Sequence, residues 1–184
     1  MTIATQIKLT YEDIRQLPED GKRHELIEGE HYMSPAPKTK HQRVITNLMR
    51  LISVFVHNNK LGQVFAAPTD VVFSESAMTE PDLIFVSRAK ENIIGEDYID
   101  GTPDLLVEIL SPSSTNRDHK IKFHLYEKHG VREYWIVSPE AENVQVFILR
   151  EGKFELLGNF SGAQEIQSRV LVGFTCKASE VFEI

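Results

Sequence analysis

Residues 104–138 read DLLVEILSPSSTNRDHKIKFHLYEKHGVREYWIVS, two apolar runs, LLVEIL and EYWIVS, separated by a stretch that predicts one helix from about Asn116 to His129, closed by Gly130. A strand, a crossover helix and a second strand form a parallel unit with a right-handed connection. LLVEIL has the length and branching of a strand covered on both faces, yet Glu108 stands in its middle. An unpaired carboxylate there would cost at least several kcal/mol, roughly a whole domain's net stability. A cation must therefore sit opposite Glu108, either a side chain or a metal.

Outward from this unit the pattern stays mixed. Thr10 ahead of Tyr11, Glu12 and Asp13 predicts a helix N-cap, with the helix ending near Pro18. HELIEG and EHYMS form a hairpin around Glu28, Gly29 and Glu30, and Pro35 and Pro37 interrupt the chain before a long helix. That helix runs from about Lys38 to His57, with Val44, Leu48, Leu51, Ile52 and Phe55 as its apolar stripe. QVFAA, DVVFS, DLIFVS, VQVFILR and KFELLG add strands, and Glu151 and Gly152 make a tight turn between the last two. The tail, SRVLVGFTCKASEVFEI, reads as a short strand and a closing helical turn. The fold class is α/β (α+β), a mixed central β-sheet flanked by helices, with an N-terminal helix and hairpin.

With 184 residues, 41% hydrophobic and 26% charged, the chain predicts one globular domain over 1–184. The only cysteine, Cys176, rules out a disulfide framework and a cysteine-based zinc site. The N-terminus lacks an export-signal pattern, and no run approaches the roughly 18 apolar residues of a membrane span. The expectation is a soluble cytoplasmic protein with no membrane partner. A net charge of −7 argues against nonspecific coating of nucleic acid. Lysines and arginines nonetheless cluster at 22–23, 38–43 and 117–122, as a basic cleft or as solvated faces.

Asp82, after Pro81, opens the strand DLIFVS at a point where a sheet commonly widens into a cleft, although acids beside prolines also make ordinary turns. Asp82 and Glu108 on neighbouring strands supply oxygen ligands suited to Mg²⁺ or Mn²⁺. Lys122 lies four residues after Asp118, the spacing of a helix salt bridge, but can also reach back over the sheet edge toward that site. Lys120 points about 200° around the helix from Lys122 and cannot share its task. Lys120, Arg117, His41 and Tyr126 are candidates for contacting the substrate, and His41 can equally be a solvated helix start. Trp135 reads as core. The histidines form no helical zinc pair, and neither a Gly-rich phosphate loop nor a Gly-x-Ser-x-Gly elbow is present, so no nucleotide cofactor is expected.

EPDLIFVS, GTPDLLVEILSPSSTNRDHKIKFHLYEKHGVREYWIVSP and the upstream RHELIEGE resemble the Uma-type restriction endonucleases, a bacterial branch of the PD-(D/E)xK nuclease superfamily, over about residues 10 to 182. The resemblance implies a restriction-endonuclease-like core and divalent-metal hydrolysis of phosphodiesters. On matching positions Asp82 and Glu108 become the metal-binding acids, Lys122 the catalytic lysine and Glu25 an additional acid; Glu25 can also be a surface acid beside Arg23. The chain departs from the superfamily pattern after Glu108, where Ile109 and Leu110 stand in place of x-Lys, so the lysine must come from the helix. The expected activity is a magnesium-dependent DNA endonuclease, as a homodimer if both strands are cut. The rivals are a catalytically silent nuclease-fold DNA-binding or regulatory protein and a hydrolase of small phosphoesters.

Overall fold

The computed structural model describes residues 8–18, 20–34, 36–111 and 116–183, with the backbone alone for 116–118. The chain runs α1 (Tyr11–Arg15), β1 (Arg23–Ile27), β2 (Glu30–Ser34), α2 (Thr39–Asn59), β3 (Gly62–Ala66), β4 (Val71–Ser74), β5 (Ala77–Thr79), β6 (Leu83–Ser87), β7 (Ile99–Asp100) and β8 (Leu105–Ile109). It continues through α3 (Asn116–Lys128), β9 (Glu133–Ser138), β10 (Asn143–Arg150), β11 (Lys153–Ser161), β12 (Glu165–Gln167), β13 (Thr175–Lys177) and α4 (Ala178–Phe182).

The central sheet has six strands in the order β11, β10, β9, β8, β6, β3 and is mixed. β8 and β9 are parallel across α3, as the sequence predicts, and β6 pairs antiparallel with β8. DVVFS does not join this sheet. It enters a second, five-stranded sheet, β2, β1, β5, β4, β7, together with the hairpin. Strands β5, β7 and β12 escape sequence reading because runs of two or three residues carry no periodicity.

Two apolar layers cover the central sheet. Val44, Leu48, Ile52 and Val56 of α2 pack on the face carrying Leu83, Phe85, Leu105 and Val107. Leu125 and Tyr126 of α3, with Ile27, Val71 and Ile99 of the second sheet, pack on the face carrying Ile84, Val86 and Leu106. Leu51 and Phe55 are only partly buried; Ile45 and Val56 take more of the contact than the predicted stripe implies.

The turns follow their chemistry. Glu28 with Gly29, and Glu151 with Gly152, have positive φ at both positions, the primed turn that matches strand twist. Gly130, at φ 77°, lets Val131 N–H donate to the Tyr126 carbonyl at 3.0 Å and end α3.

Not every buried acid belongs to a cleft. Glu133 is fully buried and accepts from Trp135 Nε1 at 2.7 Å and from the Arg169 and Val170 amides at 2.6 and 3.0 Å, tying β9 to the C-terminal segment. Glu133→Ala orphans these donors and will lower stability by about 3 kcal/mol in urea denaturation. The ionic site described next should be unchanged.

Candidate active site

Asp82 and Glu108 meet because of strand register. Leu83 opposes Val107 and Ile84 opposes Leu106. One step further outward on the same register places Asp82 opposite Glu108, both on the face that α3 covers. Asp82 is 1% exposed and Glu108 5%. Asp82 also extends the ladder chemically, since its Oδ2 accepts from the Ile109 amide at 2.7 Å. It is no ordinary turn acid.

The cation demanded by Glu108 is a side chain. Lys122 Nζ lies 2.9 Å from Glu108 Oε1 and 2.7 Å from Glu25 Oε1, and the lysine side chain is 13% exposed. Glu25 is therefore not a surface acid. It comes from β1 of the second sheet, is 7% exposed, and also accepts from the Glu80 amide at 3.0 Å. Tyr126, one helical turn beyond Lys122, donates its hydroxyl to Glu108 Oε1 at 2.6 Å, and lies 3.2 Å from Thr79 Oγ1.

Asp82 has its own clamp. Arg23 Nη1 lies 2.7 Å from Oδ1. His41 Nε2 lies 3.2 Å from Oδ2 and 3.0 Å from the Ile109 carbonyl. The sequence treats His41 as a solvated helix start or a phosphate contact; it is buried at the sheet edge, bridging a carboxylate and a strand carbonyl.

Burial pushes the Glu108 carboxyl up to about 7, the nearby Glu25 and Asp82 charges add to the rise, and Lys122 only partly offsets it. Burial acts against the charge on Lys122, but Glu108 and Glu25 outweigh it and hold its pKa above the usual lysine range. Burial also raises Asp82, yet the His41 hydrogen bond and the Arg23 charge bring its carboxyl below the usual range. At neutral pH Lys122 is thus a fixed positive charge rather than a proton acceptor. Glu25, Asp82 and Glu108 share two permanent cations, Arg23 and Lys122, and Glu108, raised to about 7, is the acid whose charge depends on pH near neutrality.

These groups form the floor of a cleft of 590 Å³ lined by the hairpin, the start of α2, the end of β8 and α3. Lys120 is exposed and does not line the cleft, and Tyr126 is fully buried beneath Glu108. The side chains of Arg117 and Asp118 lie outside the described residues. Arg23 and the positioning roles of Tyr126 and His41 escaped sequence reading. For Arg23 a signal existed: it stands two residues before Glu25 on one strand, so both side chains share a face.

Asp82 and Glu108 offer hard carboxylate oxygens from adjoining strands, the donor chemistry that suits Mg²⁺ or Mn²⁺. Among the described residues no group of three or more His, Cys, Asp or Glu side chains is placed to hold a metal. The fit is thus to a two-carboxylate site completed by water and substrate oxygens, a common complement for Mg²⁺.

The class defined here is a mixed α+β fold with an acid and lysine cluster at the edge of its central sheet. Residues 11–179 match the Uma2 family, described as "Putative restriction endonuclease", and the chain belongs to that family. Its structure is similar to the crystal structure of "a putative nuclease belonging to DUF820" from Anabaena variabilis ATCC 29413, at 20% identity and a TM-score of 0.79, covering 95% of this chain and 97% of that one. No curated protein matches. Among the described residues no helix is long and apolar enough to cross a membrane.

Proposed function

We propose that this protein is a divalent-metal-dependent DNA endonuclease, acting in the cytoplasm as a homodimer. The observation that carries the reading is the pairing of Asp82 and Glu108 on a cleft floor with Lys122 Nζ 2.9 Å from Glu108. Asp82 and Glu108 would hold Mg²⁺ or Mn²⁺. When bound, such an ion lowers the pKa of a coordinated water and polarises the phosphoryl group.

The remaining residues keep that geometry ready. Arg23, His41 and the Ile109 amide fix both oxygens of Asp82. Tyr126 orients Glu108 from below, and Glu25 holds Lys122 beside it. Lys122 brings a permanent positive charge to where negative charge gathers on the phosphoryl oxygens. The test is nicking of supercoiled plasmid across a Mg²⁺ and Mn²⁺ titration, with calorimetry of ion binding to wild type and to Asp82→Ala and Glu108→Ala. Nicking together with ion binding lost in both variants supports the reading; failure to cut either plasmid or single-stranded DNA with either ion overturns it.

One observation favours the rival, a nuclease-fold binding protein without turnover: each acid already has a protein cation within about 3 Å. Lys122→Ala separates the two, removing cleavage but not DNA binding in an enzyme.

A pH dependence follows from Glu108. Its carboxyl, raised to about 7, must lose its proton before it can bind a cation. Apparent Mg²⁺ affinity should therefore rise up to about tenfold per pH unit below that value and level off above it, as read by calorimetry in matched buffers.

A further inference from the structure

Above its ionic floor the cleft changes character. Ile27 and Tyr32 from the hairpin, Pro37 ahead of α2, Leu110 just after β8 and Ile121 of α3 give it apolar walls. Tyr32 stands opposite Glu25 in the hairpin register and so shares the face that carries the ionic floor. The Tyr32 hydroxyl donates to Glu30 at 3.0 Å, which orients the ring.

A duplex presents phosphates, sugars and groove edges to a protein, while the flat faces of its bases are stacked on one another. None of those exterior groups gains from an apolar wall. An unstacked nucleotide offers both kinds of surface, a phosphate for the charged floor and a flat apolar base for the wall. The 590 Å³ cleft is of small-ligand size, the scale of one or two nucleotides rather than of a duplex.

We infer that the substrate is DNA that is unpaired where it is cut, a single strand, flap or frayed end, with one base seated against the Tyr32 wall. This rests on the nuclease reading and specifies its substrate class. Phosphodiester hydrolysis then proceeds with the base on the wall and the adjoining phosphate over Asp82 and Glu108; water adds to phosphorus, and the leaving oxygen departs with a proton.

The experiment compares labelled oligonucleotides of equal length, single-stranded and duplex, by fluorescence anisotropy without added metal, and then by cleavage with Mg²⁺ or Mn²⁺. Wild type should bind the single strand about tenfold more tightly, and 2-aminopurine fluorescence in a bound strand should report a base moved out of its stack. Tyr32→Leu, outside the ionic floor, keeps an apolar side chain but removes the ring, and should weaken single-strand binding about threefold to tenfold while leaving thermal stability and Mg²⁺ binding as they are. Duplex binding equal to or tighter than single-strand binding, or a Tyr32→Leu protein with unaltered single-strand affinity, would overturn the inference and leave the nuclease reading standing. Failure of wild type to cut either form with either ion would overturn both.

Discussion

Lys122→Met will unfold at a temperature lower by roughly 10 °C, a loss of about 3–5 kcal/mol, and will not cut DNA. The size follows from what the lysine leaves behind. Glu25 and Glu108 both point an oxygen at Nζ, at 2.7 and 2.9 Å, from two different sheets, and neither can turn to water. Removing the cation leaves Glu25 and Glu108 buried without their donor, and Glu108, already raised to about 7 with the lysine in place, is driven to take up a proton. Adding Glu108→Gln to Lys122→Met replaces that carboxyl by a neutral group and should restore part of the stability at pH 8 but none of the activity. Calorimetric melting of the single and double variants checks this, and a Lys122→Met protein as stable as wild type would show that the site is not organised around that contact.

Glu108→Gln alone should do the opposite, costing little stability at pH 8 while reducing cleavage at least about 100-fold, the upper range for losing even an outer partner of a metal ligand. Glutamine keeps an oxygen for Tyr126 and Lys122 to donate to, and Lys122 keeps the Glu25 charge. It also relieves a penalty. Because burial raises the folded Glu108 carboxyl to about 7, above its unfolded value, the folded state binds this proton more tightly between the two values. The Glu108 contribution to stability therefore falls as pH rises from about 4.5 to 7, and the variant should lack that decline. Melting temperatures across this window, with single-turnover plasmid nicking at pH 8, measure both effects; parallel pH profiles for the two proteins would contradict the assignment. Site acids that cost stability when ionised are a usual mark of function held against folding.

Much of this was legible along the chain. The apolar run around Glu108, the periodicity and closing glycine of α3, and the apolar run of β9 are local patterns, and they were enough to place a parallel crossover and to demand a cation for Glu108. The demand holds because the cost of burying a charge does not depend on which neighbour relieves it. Which cation answers was a different matter. Asp118, whose side chain lies outside the described residues, offered Lys122 a local partner at helical spacing; among the described residues the lysine reaches Glu108 and Glu25, 97 residues earlier in the chain. The pairing of Arg23 with Asp82, and of His41 with the β8 edge, spans 59 and 68 residues. No sequence period encodes such contacts, because they exist only once two separate sheets and α2 have closed on one strand end. Sequence determined the types of residue, the elements that carry them and the need for charge compensation; tertiary structure alone decided the partners, since pairing of buried charges is set by distance across the packed core and not by separation along the chain.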